Sequence, residues 1–379
     1  MLDGLSAPGV VFFIFLLIFL FLFIIQIFYY GFFFRKFVIY KESLPAPKPE
    51  GVSVVICARN EYHQLKENLP LILDQEYPDF EVVVVNHASE DDTAFLLSKM
   101  AEQYPRLKIV EIRENLNFFD GKKFPLSIGI KSATHGMVLL TDADCRPVGT
   151  KWISLMAGGF SKEKEIVIGY GAYQRSNSFL NRLIRFDTVH IALQYFSFAL
   201  AGIPYMGVGR NMAYRKSLFY ENKGFTSHYT IHSGDDDLFI NRAATRKNTN
   251  VVADPESFTV SQPKTSFQEW WVQKKRHLST GRYYRRKHKF LLGLYTLSTA
   301  LFYTFFILLM LLSLNYTIFV VLALFILRLA SQLFIFRKTL ARLNEKGIWL
   351  LVPLLEILML LLNAALTFSA FLSKETKWK

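Results

Sequence analysis

Cysteine is nearly absent: Cys57 and Cys145 are the two in 379 residues. So few thiols exclude a disulfide-stapled domain, and free cysteines suit a reducing compartment. Neither has a histidine partner beside it, so both are read as packing residues rather than nucleophiles. Charge is scarce as well, at 20% of residues, and acids are scarcer than bases, 31 against 44. With 51% of residues hydrophobic, the chain is excluded from the disordered class, which requires low hydrophobicity. The leader MLDGLSAPG has no Lys or Arg, whereas a cleavable signal peptide has a basic start and an apolar core of about 7–15 residues. No internal repeat stands out.

Apolar sequence is abundant, and it comes in blocks. Residues 10–34 carry no charge and exceed the roughly 20 residues needed to cross a bilayer core. Arg35, Lys36 and Lys41 follow, so the positive-inside rule puts the N-terminus outside and the next segment in the cytoplasm. Three further spans are expected at 290–312, 316–336 and 348–372. Arg328 and Glu356 fall inside the last two and are expected to pair within the bundle, because lone charges are costly at that depth. Arg337, Lys338, Arg342 and Lys346 mark 337–346 as a cytoplasmic loop. Lys374, Lys377 and Lys379 fit poorly with the external tail that four spans imply. This divides the chain into an N-terminal span (1–42), a cytoplasmic domain (43–289) entered through the Pro-rich linker SLPAPKPE (43–50), and three C-terminal spans (290–379).

Between the blocks, VSVVICA (52–58), EVVVVNHA (81–88), LKIVEIR (107–113) and MVLLTDA (137–143) alternate with helical stretches. Continuous apolar strands separated by helices indicate βαβ units and a buried, mostly parallel sheet. Ligands bind such sheets beyond the carboxyl ends of the strands. Those ends carry Arg59, Asn60 and Glu61; Asn86 to Asp92; and Asp142 and Asp144. Two carboxylates at i and i+2 off a strand end suit a hard divalent cation whose remaining positions are filled by phosphate and water. Asp235, Asp236 and Asp237 form a second acidic group. Adjacent carboxylates raise one another's pKa, which suits proton abstraction, and acids in a first helical turn also favour the helix dipole. Lys122 and Lys123 stand ahead of the helix that leads into the Asp142 strand, and either simple solvation or a diphosphate contact fits them.

Together, VSVVICARNE, VVVVNHASEDDT, GKKFPLSIGIKSA, VLLTDADCRP, GVGRNMAYR (207–215), SGDDDLF (233–239) and QKKRH (273–277) resemble the membrane-integrated branch of family 2 glycosyltransferases. Cellulose and hyaluronan synthases and ceramide glucosyltransferase are of that kind. The resemblance covers 51–289. It implies an α/β fold of GT-A type, with a Rossmann-like, mixed and mostly parallel sheet flanked by transmembrane helices. It also implies an inverting transfer from a nucleotide diphosphate-sugar, a UDP-sugar first among the donors. Asp142 and Asp144 match the family's D-x-D and would hold Mg2+ or Mn2+, Asp144 more directly. Asp235 matches the catalytic base, with Asp236 next, and Gly234 stands where a Glu is usual. Lys122 matches a diphosphate lysine, and Arg59 and Glu61 fall at the donor-facing end of the first strand.

Gln273, Arg276 and His277 match Q-x-x-R-W except that His replaces Trp, so Trp270 or Trp271 would have to supply the indole. Asn86 and His87 stand where relatives have paired aspartates that read uracil, and Asp91 is the first acid beyond them. This departure weakens the preference for UDP. The aromatic and aliphatic helix 179–200 is read as packing rather than as a substrate box.

The acceptor is expected to be a lipid or lipid-linked glycan at the inner face of the cell membrane, because four spans make a wide polymer channel hard to build. Processive polysaccharide synthesis is the alternative, and a non-catalytic scaffold ranks below it. The net charge of +13 invites a nucleic-acid reading, but no matching motif is present. Residues 274–289 instead hold eight Lys or Arg and no acid, a juxtamembrane collar suited to anionic membrane lipids.

Overall fold

The computed structural model describes residues 7–42, 50–113, 121–231, 233–312 and 317–372. The leader's first residues, nearly all of the Pro-rich linker and the Lys374–Lys379 tail lie outside them. Strands β1 (Val52–Ala58), β2 (Phe80–His87), β3 (Leu107–Ile112) and β4 (Met137–Leu140) alternate with helices α3 (Tyr62–Leu73), α4 (Thr93–Gln103) and α5 (Lys123–Ser132), after two N-terminal helices, α1 (Ala7–Phe28) and α2 (Arg35–Ile39). There follow β5 (Cys145–Pro147), α6 (Trp152–Gly158), β6 (Ile166–Ile168), β7 (Gly171–Tyr173), α7 (Phe179–Leu200), β8 (Met212–Arg215), α8 (Lys216–Glu221), α9 (Asp237–Ala243), β9 (Thr249–Val251), β10 (Thr259–Ser261) and α10 (Phe267–Thr280).

Seven strands form one sheet in the order β3-β2-β1-β4-β8-β6-β9. The β1–β2, β2–β3, β1–β4 and β6–β9 pairs are parallel, and β8 runs antiparallel to β4 and β6. Val54, Val55, Ile56 and Val82 to Val85 are fully buried, as strands covered on both faces must be. A second sheet, β5-β10-β7, sits beside it. β4 ends at Leu140, earlier than the sequence suggests, which leaves Asp142 to Asp144 in a turn closed by Cys145 N donating to Asp142 O (3.0 Å). The order reversal beside β1 and β4 makes the crevice there the natural ligand site of such a sheet.

Among the described residues, four helices are long and apolar enough to cross a membrane: Val10–Ile39, Arg286–Leu312, Thr317–Arg342 and Trp349–Ser369. The first is α1 joined to α2 through a π-helical turn at Tyr29–Phe34. The others are α11 (Arg286–Leu312), α12 (Thr317–Arg342) and α13 (Val352–Leu372). Two boundaries differ from expectation. α11 begins within the basic collar, and Arg337, Lys338 and Arg342 belong to α12 rather than to a loop. Helical continuation lets the Arg342 guanidinium reach the Phe37 and Tyr40 carbonyls at the end of the first span.

Arg328 and Glu356 pair as expected, Nη2 to Oε2 at 2.7 Å. Arg328 also donates to Tyr303 (2.8 Å), Gln332 (3.0 Å) and Gln26 Oε1 (3.1 Å), and Glu356 accepts from Tyr303 (2.7 Å) and Tyr295 (3.3 Å). One network therefore staples all four helices. Removing one partner of a buried pair strands the other charge, at a cost of about 3–5 kcal/mol. Arg328→Met should lower the melting temperature in detergent, and pairing it with Glu356→Leu should recover much of the loss. A double variant no more stable than Arg328→Met would contradict this account.

Candidate active site

A cavity of about 1160 Å³ opens at the carboxyl ends of β1 and β4 and runs along α10 to Lys289 and Leu292 in the first turns of α11. Arg59, Glu61, Lys122, Asp142, Asp144, Asp235, Asp236, Gln273 and Arg276 all line it. These come from five separate stretches of chain, so the fold assembles what the sequence scatters.

The Asp142-Ala143-Asp144 turn is held by Asn68 Nδ2 donating to the Ala143 carbonyl (3.1 Å). Lys122 Nζ pairs with Asp142 Oδ1 and lies 3.9 Å from Asp235 Oδ2. Burial opposes the charge on Lys122, but Asp142 and Asp235 more than reverse this and hold its pKa well above the usual value. Burial likewise opposes ionisation of Asp142, and Lys122 outweighs it, so this carboxyl sits below the ordinary range. Asp144 moves the other way, raised by burial and then by Asp142. Glu61 is pushed up to about 7 by burial, Asp144 and Asp142.

Asp142, Asp144 and Cys145 place one ligand atom each within 4.8 Å of one another. The donor set fits a hard divalent cation through its two carboxylates. The Cys145 thiol does not, because burial keeps it protonated and it donates to Asp144 Oδ1 at 3.5 Å.

Lys123 is not a solvated lysine. It is 4% exposed, and its ammonium donates to the carbonyls of His228 (2.7 Å), Ser233 (2.8 Å) and Ile231. It therefore ties the start of α5 to the segment leading into the acidic triplet. Gly234 adopts φ +95°, and a Cβ there would lie 2.5 Å from Leu238 Cδ1. No other residue turns the chain here without strain, which explains the glycine where a Glu was expected.

The three aspartates then separate in role. Asp236 caps α9, accepting from Gly209 N (2.8 Å) and Asp237 N (2.7 Å). Asp237 accepts from Tyr284 (2.7 Å) and from Thr280, which fastens α9 to the end of α10. Asp235 has Lys122 as its charged neighbour and no protein hydrogen bond among the described residues.

Asn86 and His87 do not line the cavity. Both are buried at the end of β2, where Asn86 Nδ2 donates to Glu111 Oε2 (2.9 Å). Asp91 is occupied by the amides of Tyr62 and Thr93. The strands on either side, β1 and β3, enclose β2 there. Trp270, 3% exposed, lines the cavity together with His277.

Sequence reasoning underrated α7. Ile184, Asp187, Thr188, Ile191, Gln194 and Tyr195 all face the cavity. Their i, i+3, i+4, i+7, i+10, i+11 spacing marks one helix stripe, and its three polar residues were the available signal. Asp187 pairs with buried Lys274 at 2.5 Å.

Asp236 is pushed up to about 7 by burial, Asp235 and Asp237. An unfolded aspartate ionises near pH 3.9. Between about pH 4 and 7 the folded chain keeps a proton that the unfolded chain has lost, so stability falls as pH rises through that window. Asp236→Asn keeps an acceptor for Gly209 and should flatten this decline in melting temperature. Parallel curves for variant and wild type would contradict the assignment.

A family model described as Glycosyl transferase family 2 matches residues 53–222. Over 95 residues the chain is 32% identical to a poly-beta-1,6-N-acetyl-D-glucosamine synthase of Staphylococcus epidermidis, which is 25% of this chain and 22% of that protein. Over 117 residues it is 29% identical to the Staphylococcus aureus (strain COL) synthase of the same name, covering 30% and 27%. The matches thus span about a quarter of the length of these curated relatives. In fold, it is similar to the mannosyltransferase PcManGT from Pyrobaculum calidifontis, solved in complex with GDP-Man and Mn2+, with TM-score 0.57, 19% identity and coverage of 88% of this chain and 97% of that one.

Proposed function

From the match of residues 53–222 to the family model described as Glycosyl transferase family 2, we propose that this chain transfers a sugar, with inversion, from a nucleoside diphosphate-sugar to a lipid or lipid-linked acceptor. The observation that carries the reading is the extent of the cavity. One end holds the D-x-D carboxylates, and the other reaches Leu292 in a helix able to cross a membrane. The catalytic domain faces the cytoplasm, and the first helix runs from outside inward, in keeping with the basic residues that follow it. The collar at 274–289 holds this domain against anionic headgroups.

Lys122 and Arg276 supply fixed positive charge for the diphosphate, with Arg59 beside them. Asp142 and Asp144 are the residues to hold Mg2+ or Mn2+, which when bound offsets charge on the departing diphosphate as a Lewis acid. Asp235, free of protein hydrogen bonds among the described residues, takes the proton from the acceptor hydroxyl. That oxygen forms the new bond to the anomeric carbon as the bond to the diphosphate breaks. Asp236 and Asp237 hold Asp235 in place through α9. The relatives' printed names, poly-beta-1,6-N-acetyl-D-glucosamine synthases, favour a second reading, processive polymer synthesis, which product length separates from single transfer.

The test is nucleotide release by the full chain in nanodiscs, with Mn2+, a panel of nucleotide sugars and lipid extract. Loss of a general base costs about 10²–10⁴-fold, so Asp235→Asn should lose at least that much turnover, and Asp144→Asn should be comparably impaired. Turnover retained by either variant refutes its role, and no release by the wild type from any donor refutes the reading.

A further inference from the structure

We propose that Arg210 is a phosphate-binding residue of this cavity, its guanidinium receiving an anionic phosphate oxygen beside Asp142 and Asp144. The inference rests on the glycosyl-transfer reading and extends it to a residue in the Gly207–Asn211 run for which that reading has no role. The Arg210 carbonyl accepts from Thr141 Oγ1 (2.9 Å) and Thr259 Oγ1 (3.0 Å), which pins the backbone between the two sheets. Nη1 donates to the Ala172 carbonyl (3.2 Å) and to Ser261 Oγ (2.9 Å). The guanidinium lies over the Tyr173 ring, 4.2 Å from its centroid. Gly171 makes the slot: a Cβ there would stand 3.0 Å from Arg210 Cβ and 3.3 Å from Nε.

Hydrogen bond, stacking and slot together fix one orientation and engage one nitrogen. Nε and Nη2 have no protein partner among the described residues, neither is a buried orphan, and Arg210 is one of the residues that line the cavity. Asp142 and Asp144 act on Arg210 through their field, yet no carboxylate forms an ion pair with it among the described residues. A guanidinium held rigid with an unused two-donor edge matches the geometry of a phosphate oxyanion. The position between the D-x-D turn and the membrane-facing half admits two sources of that oxyanion, the donor diphosphate and a phosphate on the acceptor lipid.

Calorimetry on the full chain in neutral detergent separates them, with UDP and GDP in Mn2+ as one pair of probes and dioctanoyl phosphatidic acid as the other. Hydrogen bonds to charged groups predict that Arg210→Met weakens one class of probe by about 10–100-fold. Loss confined to the nucleotides assigns the donor diphosphate, and loss confined to phosphatidic acid assigns an acceptor phosphate. Should Arg210→Met fail to fold, Arg210→Lys keeps the charge without the flat edge and should show a smaller loss in the same direction. If wild type binds UDP or GDP and both variants bind every probe equally well, Arg210 is only a counter-ion and the proposal falls while the reading above stands. If wild type binds neither nucleotide, the reading falls and takes the donor assignment with it.

Discussion

Among the described residues, eight carboxylates and seven Lys or Arg side chains line one cavity, and like charges at that density stay together only because cations are set among them. Lys122 is the pivotal one. It bridges the D-x-D turn on β4 and the acidic segment before α9, two stretches that would otherwise repel. Its neighbour Lys123 secures the same segment through backbone carbonyls. Two consecutive residues at the start of α5 therefore set the distance between the candidate metal carboxylates and the candidate base. The near balance of charge also leaves the cavity ready for a cation and a diphosphate arriving together.

The half of the cavity beside the long apolar helices is built into this arrangement rather than appended to it. Asp237 binds Tyr284 and Thr280, and Asn241 accepts from Arg285 N (3.0 Å). The helix that follows the acidic triplet is thus fixed to the basic collar. On the other side, buried Arg185 of α7 pairs with Glu345 in the turn between α12 and α13. The cavity stripe of α7 is thereby tied to the apolar bundle. Movement of the bundle relative to the sheet would move the α7 residues that line the cavity, so the Arg328–Glu356 staple supports the site from a distance.

The strands and their acidic ends were legible in the sequence because buried parallel strands are written as unbroken apolar runs. Asp142, Asp144 and Asp235 follow such runs, or sit at a helix start, and local pattern sufficed for them. Asn86 and His87 could not be judged that way: their removal from the cavity depends on pairing with β3 and on Glu111, a partner 25 residues away. Lys123 looked solvated because its three acceptors lie more than 100 residues downstream. Arg210 was visible only as part of a glycine-containing run, since its slot is made by Gly171, Tyr173 and Ser261 from other elements. In α7, aromatic residues around the helix masked a polar stripe whose meaning depends on which face meets the cavity.

The central claim is that sugar passes to a lipid at the membrane face, and mass spectrometry of the products tests it most directly. Lipid and polymer fractions from cells expressing the wild-type chain would be compared with those from cells expressing Asp144→Asn. The account predicts a lipid species heavier than a host lipid by one sugar residue, present with the wild-type chain and absent with the variant. A long sugar polymer appearing in its place, with no glycosylated lipid, would contradict it.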